Sequence, residues 1–175
     1  MTTKEAESRH AANLATPLIL GADAVQEITG ALNTLLADIF AIYLKAKKFH
    51  WQISGPHFRD YYLMLADQAD RILDTTDAIA ERMRKLGGAP LRSIGHIARL
   101  QRILDNNADY VTLRDMLAEL GDDNKQLTFH LEQTRDLCDQ HGDVATARLL
   151  QNWIDEAEQR TWILLLAGCA QRAAA

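Results

Sequence analysis

Proline, cysteine and alternating apolar and polar residues are scarce in this sequence. Its 175 residues include only three prolines and two cysteines. Cys138 and Cys169 lie within helical patterns and have neither CxxC nor Cys/His spacing, so we expect reduced, small hydrophobic residues and neither a disulfide nor a zinc site. Because no segment alternates with the period of two that is typical of strands, the sequence predicts no β-sheet.

Long apolar runs are absent as well. The longest, WILLLAGCA near the C-terminus, is well short of the roughly 18 residues that a membrane span needs. The N-terminal MTTKEAESRH lacks the apolar core of a secretory signal. We therefore expect a cytoplasmic protein that does not bind membranes.

Positive charge is in deficit. The chain has 19 Lys and Arg against 24 Asp and Glu, a net charge of −5, which argues against a surface built to hold nucleic acid. Two basic clusters near the ends of predicted helices are interpreted as cations placed against the C-terminal dipole of a helix. They are Lys45, Lys47 and Lys48, and Arg82, Arg84 and Lys85.

The composition is typical of one folded domain, with 47% hydrophobic and 25% charged residues. A chain of 175 residues is long enough to build its own core. We divide it into an N-terminal tail (1–20), a helical bundle (21–169) and a short C-terminal tail (170–175).

Long amphipathic helical patterns fill most of the chain. Apolar residues recur every three or four positions and predict a first helix over about 23–53, ended by Ser-Gly-Pro at 54–56. The proline, Pro56, suits the first position of the second helix, whose predicted apolar face starts at Phe58. Two glycines and a proline at 87–90 stop that helix.

The second half of the chain repeats this pattern. Thr112 and Asp115 form a predicted capping box that opens the third helix, and His141-Gly142 ends it. A fourth helix starts near Asp143. The connection over 89–111 is long, and its segment RSIGHIARL has the apolar spacing of a short helix. The sequence therefore predicts an all-α, ferritin-like four-helix bundle with a short helix between its second and third helices.

Acidic residues recur along one side of the second helix. Asp77 and Glu81 are one turn apart and can converge on one cation, and Asp70 and Asp74 extend the same side. By spacing alone, a solvated acidic face is the commoner explanation. His50, at the end of the first helix, is likewise a packed side chain more often than a ligand. The predicted bundle helices contain no Glu-x-x-His, so no di-iron site is expected in the middle of the bundle.

Three segments carry a family resemblance. They are KKFHWQISGPHFRDYYLMLADQADRILDTTDAIAERMRKLGG, LRSIGHIARL and HGDVATARLLQNWIDEAEQRTW. Together they resemble the Dps family, the mini-ferritins that protect starved bacterial cells, over about residues 18–167. The resemblance implies a hollow dodecamer, built from dimers, that oxidises Fe(II), preferably with hydrogen peroxide, and stores the ferric mineral inside.

The resemblance also implies an iron site between two subunits. One subunit supplies a histidine from its first helix with a histidine and an aspartate early in the second, and the partner supplies an aspartate and a glutamate late in its second helix. His50, Asp77 and Glu81 match three of these positions, whereas Tyr62 and Ala66 replace the early histidine and aspartate. Positions 62 and 77 lie about 22 Å apart along one helix, so they meet only across a twofold axis.

The two replaced ligands predict a weakened site. Asp70 lies on the correct face but about 6 Å further along, so it serves only if the metal moves or a water bridges. The phenol of Tyr62, with a reference pKa near 10, is a poor ligand for Fe(II) at neutral pH, although Fe(III) favours its phenolate. One imidazole and two carboxylates remain, which suits one weakly held Fe(II), Mn(II) or Zn(II).

Two functions stay open from these residues. The first is an iron-storing ferroxidase of reduced activity. The second is a non-catalytic shell or interaction protein on the same fold, which partners an active paralogue or DNA.

We expect DNA binding to be weak or absent. The cytoplasm is the expected location of the protein, and the nucleoid is a second one. In the Dps family it depends in many members on a lysine-rich N-terminal tail, whereas here two basic and two acidic residues cancel within the first eighteen. Twelve subunits at −5 each give −60, which repels phosphate. By resemblance, Asp122, Asp123, Asp139 and Asp143 are candidates for an acidic iron-uptake pore, and Asp143 suits the N-cap of the fourth helix equally well.

Overall fold

The structure, a computed structural model, describes residues 20–55 and 57–173. This part of the chain forms five helices and no strand. The helices are α1 (Ala22–Gln52), α2 (Phe58–Lys85), α3 (Ile94–Leu100), α4 (Leu113–Gln140) and α5 (Val144–Ala173). The predicted all-α architecture, with a short helix in the long connection, is confirmed. Most of the predicted N-terminal tail and the last two residues lie outside the described residues.

Local signals set the helix ends. The Thr112 hydroxyl accepts a hydrogen bond from the Asp115 backbone N–H at 3.2 Å and caps α4, as predicted. Gly87 follows α2 with a φ of 82°, a left-handed conformation that glycine adopts without strain. Pro56 lies outside the described residues, and α2 itself begins at Phe58.

The core forms between two helical hairpins. Helix α1 packs along α2 and α4 packs along α5, while α1 also contacts α4 and the short α3. The predicted apolar stripes supply this core, and each buried side chain contributes about 1.5–3 kcal/mol. Fully buried examples are Ile28, Leu32, Leu35, Ile42, Phe49, Leu65, Ile72, Ile79 and Met83. The prediction that Phe58 lies on the buried face is wrong, because this first residue of α2 stands at the edge of the core and is 52% exposed.

Helix α1 is long and apolar enough to cross a membrane by length and composition alone. Half of its apolar window is buried inside the fold, which is also how the core helix of a bundle behaves. A search for unbroken apolar runs misses it, because polar residues such as Asn33 and Asp38 interrupt each run.

Asp38 joins the long connection to the bundle. Its fully buried carboxylate accepts hydrogen bonds from the Arg102 backbone N–H at 2.6 Å and from the Arg102 guanidinium at 2.6 and 2.9 Å. The Nδ1 atom of His130, on α4, lies 3.5 Å from the same carboxylate. Burial, and then the Arg102 charge, lower the pKa of His130 against the opposing effect of Asp38. The imidazole is therefore neutral at pH 7.

The helix-dipole interpretation is wrong for Lys45, which lies outside the last turn of α1, whereas Arg82 does lie in the last turn of α2. Lys45 is 6% exposed, and its ammonium bridges Glu119 at 2.9 Å and Asp123 at 2.8 Å. Arg82 pairs with Asp143 at 2.7 Å. These cations are held by carboxylates from other helices, which sequence spacing within one helix does not reveal.

Two of the four predicted pore residues are buried within their own subunit. Asp123 is 8% exposed. Asp143 is 4% exposed and accepts a hydrogen bond from the Thr146 backbone N–H at 3.1 Å, the contact that an N-cap makes. The N-cap interpretation of Asp143 is confirmed, and only Asp122 and Asp139 remain exposed candidates for a pore.

The two cysteines lie in different environments. Cys138 is fully buried in α4, and burial, followed by the charges of Asp143 and Asp139, raises the pKa of its thiol to about 12. Cys169 is exposed on α5, so only Cys138 is packed like a small hydrophobic residue of the core. The described residues contain no disulfide.

Candidate metal site

The imidazole of His50 is buried without a hydrogen-bond partner. It lies in the last turn of α1, directly after the core residue Phe49, and is 7% exposed. Neither its Nδ1 nor its Nε2 atom has a partner among the described residues. Since buried polar groups are nearly always hydrogen-bonded, these two ring nitrogens are available to a ligand.

The turn between α1 and α2 brings Tyr62 onto this imidazole. Gly55 and His57 adopt left-handed backbone conformations, with φ of 97° and 58°, and reverse the chain direction. The ring centroids of His50 and Tyr62 are then 3.8 Å apart, with a tilt of 36° between their planes. Tyr62 is 41% exposed, so the pair opens towards the surface.

Charged neighbours set the protonation of His50. Burial, and then the positive charge of Lys47, lower its pKa, while Asp70 acts in the opposite direction. The ring is therefore neutral at pH 7 and has a nitrogen lone pair to offer to a metal. The Lys47 ammonium lies 3.7 Å from the Asp70 carboxylate, which is 70% exposed. Asp70, a predicted candidate ligand, is thus already paired with a lysine.

The carboxylates of Asp77 and Glu81 lie elsewhere on the same subunit. Both are exposed near the end of α2, where they line a shallow surface depression with Arg84 and Lys85. The Glu81 carboxylate lies 3.6 Å from the Lys85 ammonium, one turn along the helix. Helix rise places Asp77 about 22 Å from Tyr62.

A single subunit does not assemble a complete site. Among the described residues, no group of three or more His, Cys, Asp or Glu side chains could hold a metal ion. The structure brings His50 and Tyr62 together and keeps Asp77 and Glu81 apart from them. Ala66, between these regions on α2, supplies no donor atom. Their joint action as ligands stays a prediction.

Sequence reasoning missed two features of this region. One is the Lys47–Asp70 pair, which joins two helices and has no signal in the spacing of either. The other is a set of exposed apolar side chains at the same end of the bundle, namely Trp51 (67% exposed), Phe58 (52%) and Leu63 (56%).

Comparisons with known proteins agree with this fold. The family model "Ferritin-like domain" matches residues 29–167. A "low temperature-induced protein" of Nostoc is 33% identical over 140 residues, which covers 79% of this chain and 78% of that protein. A "DNA protection during starvation protein" of Halobacterium salinarum is 32% identical over 145 residues, covering 81% and 78%.

Solved structures give the same result. The crystal structure of an archaeal Dps homologue from Halobacterium salinarum superposes with a TM-score of 0.82 and 27% identity, covering 87% of this chain and 85% of that chain. DpsC from Streptomyces coelicolor gives a TM-score of 0.84 at 24% identity, covering 87% and 90%. The second likeness shows the fold alone.

Proposed function

We propose, from the premise that this chain belongs to the Dps family of ferritin-like proteins, that it binds Fe(II) at a site shared by two subunits and stores it as ferric mineral. The family supports iron storage and stress protection in general. The shared site, the slow oxidation of Fe(II) and a hollow dodecamer in the cytoplasm are our proposals for this chain.

The orphaned imidazole of His50 is the observation that carries the proposal. Leaving a buried polar group unsatisfied costs about 1–3 kcal/mol, so a ligand bound at this ring would stabilise the fold. A divalent cation bound at a neutral ring nitrogen removes this cost. The carboxylates that balance the charge of the cation are Asp77 and Glu81 of a second subunit, whose exposed position suits a twofold contact between antiparallel α2 helices.

The exposed apolar residues beside His50 support this twofold contact. Trp51, Phe58 and Leu63 lie at the end of the bundle that a partner would have to cover. Their burial in a dimer would also exclude water from the imidazole. The mass of the assembled protein in solution tests the oligomer, with about twelve subunits as the expected result.

The donor set suits Fe(II) as a substrate but holds it weakly. Three ligands leave positions for water and for the oxidant, which we propose to be hydrogen peroxide or oxygen. With peroxide, two Fe(II) ions each lose one electron, and the peroxide and two protons become two water molecules. The Lys47 ammonium, close enough to affect His50, repels an incoming cation. Zn(II) and Mn(II) suit the same donors and would compete.

Anaerobic Fe(II) titration followed by stopped-flow oxidation tests this function. We expect His50→Gln and Asp77→Asn each to weaken Fe(II) binding by about tenfold or more, as the loss of one of three ligands should. Asp155→Asn, an exposed aspartate on α5, is the matched control and should bind Fe(II) like the unchanged protein. Equal binding by all four proteins would refute the shared site.

A non-catalytic shell is the second candidate, and the Lys47–Asp70 pair favours it. Tyr62 replaces an imidazole and Ala66 replaces a carboxylate at ligand positions, and a lysine salt bridge occupies the carboxylate of Asp70. Bound Fe(II) that is oxidised no faster than free Fe(II) in buffer would select this alternative. Assembly with an active paralogue would then be the proposed role.

A further inference from the structure

A polar cavity lies between α2 and α5, and its lining does not include the candidate ligands His50, Asp77 and Glu81. Its volume is about 340 Å³. The lining includes Gln68 and Arg71 from α2, and Trp153, Glu156 and Arg160 from α5. The proposed iron chemistry makes no use of these residues.

Arg160 is a buried cation without a carboxylate partner. It is 4% exposed, and its Nε atom donates a hydrogen bond to Asn124 Oδ1 at 2.8 Å. In the described part of the chain it makes no ion pair, and neither Nη atom has a hydrogen-bond partner. Burial lowers its pKa to about 10, an effect that Glu156 opposes and Arg71 adds to. An arginine keeps its proton at that value at neutral pH, so the cavity contains a fixed positive charge.

The guanidinium is held in one orientation. Asn124 Nδ2 donates to the Leu120 carbonyl at 2.8 Å, which turns the Asn124 oxygen towards Arg160. With Nε held in this way, the two Nη groups form the free edge of the planar fork. Such a fork matches two oxygens of a carboxylate or phosphate.

Gln68 presents a complementary acceptor. It is 2% exposed, and its Oε1 atom is buried with no partner among the described residues. A ligand that satisfies both side chains must therefore accept from Arg160 and donate to Gln68. Hydrogen phosphate does both, because it carries charged oxygens and one P–OH group.

We propose that this cavity binds one hydrogen phosphate ion, with its charged oxygens on the Nη atoms of Arg160 and its P–OH donating to Gln68 Oε1. Arg71 adds a second positive charge near Arg160, although it already pairs with Asp67 at 2.9 Å. Asp74 and Glu156 also line the cavity, and their carboxylates repel anions more strongly the higher the charge, which disfavours polyanions such as nucleic acid most. A small oxyanion is thus the ligand that fits best.

Calorimetric titration of the assembled, iron-free protein with inorganic phosphate at constant ionic strength tests the proposal. We expect saturable binding that Arg160→Gln weakens by about 10- to 100-fold, as the loss of a charged hydrogen-bond pair should. Arg148→Gln, an exposed arginine on the same helix, is the matched control and should not change the affinity. No binding, or equal affinity in the Arg160 variant, would overturn the site.

Sulfate tests the contact with Gln68 separately from the contact with Arg160. It has the size and charge of hydrogen phosphate but no proton to donate at neutral pH, so we expect it to bind several-fold more weakly. Gln68→Met should reduce this preference without disturbing assembly, because the two side chains have similar volumes. If Arg160→Gln does not assemble, Gln68→Met and Arg71→Gln carry the test, and unchanged affinities in both would refute the proposal. Iron is absent from these measurements, so their outcome is independent of the proposed function.

Discussion

The imidazole of His50 lies against the phenol ring of Tyr62, with 3.8 Å between their centroids. Position 62 therefore lies against the face of the imidazole, and the residue found there decides which donor atom lies beside His50. Tyrosine supplies a phenol, which is a weaker ligand for Fe(II) than a second imidazole at neutral pH.

Restoring both replaced ligands should accelerate iron oxidation. We expect Tyr62→His with Ala66→Asp to raise the rate of Fe(II) oxidation by peroxide by about tenfold, or about 1.4 kcal/mol in the barrier. Stopped-flow absorbance of ferric product measures the rate. Tyr62→Phe is the control, because it keeps the ring against His50 but adds no ligand. A rate unchanged by the double substitution would count against the site.

Removing Lys47 should strengthen Fe(II) binding. Lys47→Gln deletes the positive charge beside His50 and releases Asp70, so we expect affinity to rise by about two- to fivefold, the scale of a partly exposed ion pair. Anaerobic titration measures this. Lys125→Gln deletes another exposed lysine that pairs with Asp122, and it should leave the affinity unchanged. Weaker binding by Lys47→Gln would contradict the electrostatic argument.

Asp38→Asn should destabilise the bundle. The fully buried carboxylate neutralises Arg102 and accepts its backbone N–H, so its loss leaves a partly buried cation unpaired. We expect the free energy of unfolding to fall by about 3 kcal/mol in denaturant titrations. Asp155→Asn removes an exposed carboxylate and should change it by less than about 0.5 kcal/mol. Similar losses for both would show that Asp38 has no special role.

Stability should fall as the pH drops below 6.5. The pKa of His130 is lower in the folded protein than in the unfolded chain, so the unfolded chain binds a proton at His130 first as the pH falls. The stabilisation present above pH 6.5 is therefore lost as the pH falls through the pKa of His130 in the folded protein. One such group contributes at most about 1.4 kcal/mol per pH unit. His50 acts in the same direction. The free energy of unfolding of His130→Gln, measured against pH, therefore separates the contribution of His130 from that of His50. His57→Asn, at an exposed histidine, should keep the full slope.

The chain should bind DNA weakly. Each subunit carries −5, and an assembly multiplies this charge, so phosphate is repelled. We expect no stable complex in gel shifts at about 0.15 M salt. Adding four lysines at the N-terminus is the positive control. Tight, length-dependent retardation of DNA by the unchanged chain would show that net charge does not govern this interaction.

Periodicity predicted the helices because burial of one face dominates their stability. The start of α4 at Leu113 follows from the Thr112 cap, a local signal that needs no knowledge of the fold. Phe58 was misplaced because it matches the repeat but stands where the helix starts, at the edge of the core. Patterns within one segment do not reveal where the packing partner ends.

The site was less accessible to sequence reasoning. His50 could be named as a candidate, but its burial and its two free nitrogens follow from packing between helices. The Lys47–Asp70 pair joins residues on different helices and leaves no trace in the spacing of either. The cavity at Arg160 is of the same kind, because Gln68 and Arg160 are 92 positions apart in the chain and meet only across α2 and α5.

The burial of Cys138 has a consequence for a protein that is proposed to work with peroxide. Thiolates, not thiols, attack peroxides, and a pKa of about 12 leaves almost no thiolate at neutral pH. The sulfur is also fully enclosed by its neighbours. Cys138 can therefore withstand the oxidant without forming sulfenic acid.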